Sequence, residues 1–305
     1  MTVVTEFFLL GFQVGHIIRV LIFSLLLVIY CFTMFMNLLI IVLVSSSRNL
    51  RTPMYFFISQ LSINDILLST NVAPNMLHAL LHYRADITFI GCMTQLYFFG
   101  ALEASECFLL TVMSYDRYVA ICNPLRYSSI MTRPYCMRLV VTSWLVAFCI
   151  LFFTIITILK LNFCGPNIID HFFCDFVPIL GLSCSDTFNV QIETSFFSIP
   201  LIFFPIIIII FSYAKIIVTI LRIPSSTGRQ KAFSTCSSHL IVVSIFYGTL
   251  FSVYVVPTRG QSPTMSKILS LLYTVCTPLI NPIIYSLKNK DIMKALHVLF
   301  IRNIC

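Results

Sequence analysis

The chain has 305 residues, of which 59% are hydrophobic and only 10% charged, with a net charge of +8. Soluble globular domains carry about 25% charged residues, so this composition excludes a water-soluble globule and points to lipid as the main solvent. The basic residues are scattered over many short polar segments, which excludes a compact nucleic-acid-binding domain.

Apolar runs of about 20 residues, the length that crosses a bilayer core as a helix, recur along the chain. Such helices satisfy their backbone groups internally, as lipid requires. The predicted fold is all-α: a polytopic membrane protein, a seven-transmembrane helix bundle with a short amphipathic C-terminal helix. Residues 1–17 form a tail, 18–287 the bundle and 288–305 a second tail.

The first span, Ile18 to Val44, contains Asn37 and is too long for a cleaved signal peptide. A basic turn with Arg48 and Arg51 follows, and Pro53 suits the first turn of the next helix. Span two, Met54 to Leu80, carries Asn64, Asp65, Asn71 and Pro74, and His78, His82, Arg84 and Asp86 are expected in the loop after it. Span three runs from Cys92 to Cys122 and span four from Cys136 to Leu159. The longest polar stretch, Lys160 to Glu193, leads to span five, Thr194 to Leu221. Spans six and seven are Ala232 to Val256 and Ser266 to Leu287. In the final tail Lys290, Asp291 and Lys294 alternate with Ile292, Met293, Leu296 and Val298, the pattern of a helix lying along a membrane surface.

One set of connecting segments holds Arg48, Arg51, Arg117, Arg126, Arg133, Arg138, Lys215, Arg222, Arg229, Lys231, Lys288, Lys290, Lys294 and Arg302. The other holds Arg19, Arg84, Lys160, Arg259 and Lys267. Basic loops stay in the cytoplasm, so the N-terminus is expected outside the plasma membrane and the C-terminus inside. Cys92, Cys164, Cys174 and Cys184 then face the oxidising compartment, where disulfides form. Four cysteines allow three pairings. The other eight are expected as free thiols.

Five motifs occur in register: Pro53-Met-Tyr-Phe-Phe57, Leu61-Ser-Ile-Asn-Asp65, Met113-Ser-Tyr-Asp-Arg-Tyr-Val-Ala-Ile-Cys122, Lys231-Ala-Phe-Ser-Thr-Cys-Ser-Ser-His239 and Pro278-Leu-Ile-Asn-Pro-Ile-Ile-Tyr285. With them the chain resembles the rhodopsin-like G-protein-coupled receptors and, more closely, the odorant receptors. The resemblance covers nearly the whole chain. It implies a receptor that binds small volatile organic molecules and activates a stimulatory, olfactory-type heterotrimeric G protein to raise cyclic AMP, without cofactor, metal or enzymatic activity. It also implies disulfides Cys92–Cys174 and Cys164–Cys184. His171-Phe-Phe-Cys174-Asp175 has spacing that could hold a metal, but the implied disulfide consumes the thiolate such a site needs.

By the same resemblance Asp116, Arg117 and Tyr118 form a switch with Tyr213, Asn281, Pro282 and Tyr285. Pro282 frees a backbone carbonyl and permits a kink. Asn37, Asp65, Glu106 and Asn281 are polar groups within separate spans, and intramembrane carboxylates should face one another. The implied ligand pocket takes Phe99, Gly100, Glu103, Ala104 and Cys107 from span three. Phe197, Ser198 and Leu201 of span five, and Tyr247, Leu250, Phe251 and Tyr254 of span six, form the opposite wall, with Tyr273 and Thr274 of span seven added. Glu103, if ionised, favours an amine or another donor-bearing ligand.

The chain departs from the odorant-receptor pattern in lacking any Asn-x-Ser/Thr sequon, in placing Asn75 where a lysine is usual, and in placing Ser114 where alanine is common. A retinal-binding protein would need a lysine at the middle of span seven, and Lys267 lies at its start. A transporter would show internal repeats. In an enzyme, Ser238 and His239 would have to share a helix face, which neighbours in sequence do not. The strongest alternative is a non-olfactory rhodopsin-like receptor for a peptide or lipid.

Overall fold

A computed structural model describes residues 4–164, 166–254 and 263–304. The apolar runs become seven long helices: α1 (His16–Ser46), α2 (Pro53–His82), α3 (Phe89–Cys122), α4 (Arg133–Ile158), α5 (Phe188–Leu221), α6 (Ser226–Tyr254) and α7. Helix α7 is composite: Pro263–Leu271, a π-helical turn Leu272–Cys276 and Thr277–Lys288. Helix α8 (Lys290–Ile304) follows at once.

Six of the seven are long and apolar enough to cross a membrane. The remaining one, α2, has 30 residues, about 45 Å at 1.5 Å per residue, so its length suffices. Its polar side chains lower its apolarity, and they point into protein: Asn64 and Asp65 are fully buried. Helix α3 is the axis of the bundle. In its apolar window 67% of residues are buried, against 22% in α1 and α4. Phe203, Phe204, Ile207, Ile210 and Phe211 of α5 stay exposed, as a lipid-facing surface should.

The all-α expectation misses a small sheet. Strand β1 (Glu6–Leu9) lies between β2 (Ala85–Thr88), antiparallel, and β3 (Ile168–Ile169), parallel. These strands are too short to show a periodic signal, yet β1 alternates correctly, burying Phe7 and Leu9. The Phe7 ring packs 5.9 Å from Phe89 and 6.2 Å from Phe163. The amino-terminal tail is thus built into a cap over one end of the bundle.

Other boundaries also move. Helix α5 begins at Phe188, earlier than expected, because exposed Asn189 and Gln191 continue it beyond the apolar stretch. His78 and His82 complete the last turn of α2, with rings 4.7 Å apart, rather than forming a loop. Arg19 is not a loop residue: it is buried in the first turns of α1 with its guanidinium 3.3 Å over the Tyr83 ring. Val256, Arg259 and Cys305 lie outside the described residues.

Disulfide Cys92–Cys174 ties the first turn of α3 to the long α4–α5 loop, and Cys164–Cys184 closes that loop on itself. Gln95, one turn further along α3, accepts from the Cys174 N–H at 2.9 Å and donates to the Asn71 carbonyl at 2.8 Å. His171 is buried among Phe172 and Phe173. Burial and the neighbouring Lys267 ammonium lower its pKa to about 3, so the ring is uncharged.

Lys267, buried at the start of α7, donates to the Gly11 carbonyl at 3.0 Å and to Asp170 at 2.5 Å. One ammonium therefore joins the tail, the long loop and α7. Charged hydrogen bonds contribute about 1.5–3 kcal/mol, and each 1.4 kcal/mol is about tenfold in an equilibrium. Lys267→Met is accordingly expected to speed hydrogen exchange at the Phe8 and Leu10 amides, which bond Asn167 and Ile169, by about tenfold or more. Unchanged exchange would mean the sheet holds itself.

Candidate functional site

Phe99, Gly100, Glu103, Ala104 and Cys107 recur at helical spacing and share one face of α3. They line a cavity of about 160 Å³ near the capped end. Opposite stand Thr194, Ser198, Leu201 and Ile202 of α5 and Leu250 of α6. Helix α4 contributes Leu151, Thr154, Ile155 and Ile158, and the disulfide-bound loop adds Asp175 and Phe176.

This cavity takes in only part of the sequence-based pocket. Phe197, Tyr247, Phe251, Tyr273 and Thr274 are not among the cavity-lining residues. Phe197 packs on Phe196, and Phe251 is 61% exposed on the outside of α6. Tyr273 packs against Phe99 at 5.7 Å, and Thr274 donates to its own helix at the Ser270 carbonyl, 2.7 Å away. The side chain of Tyr254 lies outside the described residues. Helix α4 takes the vacated place because Gly100 lets it approach: a Cβ there would fall 2.8 Å from Leu151 Cδ1.

Among the described residues both Glu103 carboxyl oxygens are buried without a hydrogen-bond partner, as is the Thr194 hydroxyl. Leaving such a group unpaired costs about 1–3 kcal/mol, more if charged, so the cavity wall carries unspent bonding capacity. The Asp175 carboxyl accepts from the Phe176 N–H at 2.7 Å. Burial pushes its carboxyl up to about 6, against the opposing pull of that N–H.

Further along α3, the Asn281 amide donates to Asp65 at 3.2 Å and to Glu106 at 3.0 Å. Asn37 reaches α7 differently, donating to the Pro278 carbonyl at 3.1 Å. At the far end of α3, Arg117 Nε donates to Asp116 Oδ2 at 3.0 Å and Nη2 donates to the same oxygen. Asp116 Oδ1 accepts from the Tyr127 hydroxyl at 2.7 Å. Burial and the Asp116 carboxylate raise the Tyr127 pKa above the usual phenol range, so it stays a donor. Tyr118 stacks near Tyr115. Tyr213 and His239 Nδ1 are 2.6 Å apart, joining α5 to α6. Buried Tyr285 has no partner for its hydroxyl among the described residues.

A sequence profile described as "Olfactory receptor" matches residues 26–303. The chain belongs to the olfactory receptor family. It is 48% identical over 294 residues to human Olfactory receptor 10A7, covering 96% of this chain and 93% of that protein. Mouse Olfactory receptor 5P81 is 47% identical over 298 residues, covering 97% and 94%. Squid rhodopsin has the same fold, with a TM-score of 0.69 at 17% identity over 95% of this chain and 87% of that one.

As an olfactory receptor this is a multi-pass membrane protein in which α3 alone supplies a residue to each polar layer: Glu103, Glu106 and Asp116. Sequence reasoning missed four participants. His239 ends the Lys231–His239 motif, whose residues carried no assigned role, and Tyr127 lies five residues beyond Cys122, the end of another motif. Asp175 follows the disulfide cysteine directly. The α4 wall carried no signal except Thr154, since Leu151, Ile155 and Ile158 read as ordinary membrane-facing residues.

Proposed function

We propose that the chain is an odorant receptor of the plasma membrane, with its amino-terminal face extracellular. It binds small volatile organic molecules in the Glu103 cavity and activates a stimulatory, olfactory-type heterotrimeric G protein at the opposite face, raising cyclic AMP. The supporting observation is that one rigid helix, α3, carries both the cavity wall and the Asp116–Arg117–Tyr127 cluster, with the Asp65–Glu106–Asn281 contact between them. Agonist shifts an existing equilibrium, by no more than its differential affinity for the two states. The π-helical turn of α7 and Pro282 supply a deformable element beside the polar layer.

A peptide receptor would need a wide vestibule. Here the sheet and the long loop cover the capped end, and the cavity measures only about 160 Å³. That favours a small ligand.

The test is cyclic AMP in cells co-expressing a trafficking chaperone, screened against a chemically broad odorant panel with surface level quantified in parallel. Odorant-dependent cyclic AMP, lost in cells lacking the stimulatory G protein, is the expected result. Odorant binding without cyclic AMP at good surface level would overturn the coupling, and a response to peptides or lipids alone would overturn the ligand class.

A further inference from the structure

The agonist cavity is apolar along most of its wall, yet its polar groups are unbalanced. It presents two carboxyls, Glu103 from α3 and Asp175 from the disulfide-anchored loop, and no Lys, Arg or His lines it. The two line the same cavity. Among the described residues neither Glu103 oxygen has a partner, and the Thr194 hydroxyl of the same cavity has none either. Carboxylate oxygens only accept, and among the described residues the lining offers them hydroxyls and a thiol but no cation, so a ligand that brings a positively charged donor complements the site.

The supports of the two carboxyls differ. Glu103 sits on α3, and neither of its oxygens has a partner among the described residues. Asp175 is fixed by Cys92–Cys174 and by its bond from the Phe176 N–H, which uses Oδ1. A guest seated between them would pair Glu103 and meet the second carboxyl without moving the loop. Buried charges persist where they are paired and hydrogen-bonded. A carboxylic acid guest would add a third carboxyl to a lining that holds no cation among the described residues.

We infer that the agonist of this receptor is a small aliphatic amine whose ammonium is seated between Glu103 and Asp175, with its alkyl chain against Phe99, Leu151, Ile155 and Leu201. This rests on the cavity being the agonist site. If the carboxyl arrives protonated and the amine neutral, the Glu103 proton passes to the amine nitrogen on binding and the same ion pair results.

The experiment uses the full chain in two readouts. Short primary alkylamines, and alcohols and carboxylic acids of equal carbon count, are tested for cyclic AMP in cells and for thermal stabilisation of the purified receptor. Amines are expected to act in both and the acids in neither. Glu103→Gln and Asp175→Asn, near-isosteric and checked for surface level, are expected to raise the amine concentration for half-maximal response about tenfold or more, a loss of about 1.4 kcal/mol. Stabilisation by amines without cyclic AMP would keep the ligand class and sink the coupling. Signalling by alcohols or other neutral odorants with amines inert would overturn the amine assignment and leave the odorant-receptor reading standing. Amine responses unaltered in both variants, or no stabilisation by any amine, would also overturn it.

Discussion

Arg117→Ala is expected to abolish agonist-driven signalling per surface receptor while leaving ligand-induced thermal stabilisation intact, on a receptor whose own unfolding temperature is lowered. The arginine is largely buried and its only described acid partner is Asp116, which is fully buried. A buried charge that is neither snorkelling nor idle is expensive, and breaking such a pair costs about 3–5 kcal/mol. Two effects follow from its removal: the resting contact is lost, and so is the cation proposed to meet the G protein. The second dominates the output, since without that contact an open state has nothing to engage. Asp116→Asn separates the two. It keeps the cation but removes the charge that Arg117 and Tyr127 share, so basal cyclic AMP per surface receptor should rise severalfold. Intact signalling in Arg117→Ala together with unchanged basal activity in Asp116→Asn would reduce the cluster to a packing device.

Asn281→Leu should be the most damaging single change to stability. Its amide is the donor that Asp65 and Glu106 share, and both carboxyls are 0% exposed. Leucine supplies no donor, so two acids would face each other in the bundle interior at about 2–6 kcal/mol in total. A sharp fall in the thermal unfolding temperature of detergent-purified receptor, with little protein reaching the cell surface, is the expected outcome. Glu106→Gln should be much milder, because its amide oxygen still accepts from Asn281. If Asn281→Leu unfolds at the unaltered temperature, the contact is incidental to folding.

Much of this was legible because lipid imposes a long, uniform signal. An apolar run of about 20 residues marks a span whatever its partners, and α1, α3 and α4 came within a few residues of their predicted ends. Glu103 was assigned to a pocket through the family resemblance, and helical spacing puts its α3 neighbours on the same face. What stayed hidden depends on how helices rotate against one another. Phe251 and Leu250 are adjacent, yet one faces outward and the other lines the cavity. Contacts to main-chain atoms leave no residue signature: nothing in Gly11 announces that its carbonyl receives Lys267. His239 was visible, but weighed only with Ser238 as a nucleophile and base, whereas its partner is Tyr213, 26 residues earlier.

The parallel pairing of β1 with β3 sets a schedule for biosynthesis. Strand β1 finds β2 soon after α2 is made, but Ile168 lies 80 residues beyond Thr88. At about 5–20 residues per second, β1 waits some ~4–16 s with one edge open while α3 and α4 are inserted. Cys92 waits over the same interval for Cys174, 82 residues downstream. A strand made before α1 is therefore among the last elements to acquire all its partners. A fusion or truncation at the amino terminus alters a late assembly step of the cap, and a receptor halted there would carry an unpaired strand and a reduced thiol for the quality-control machinery to read.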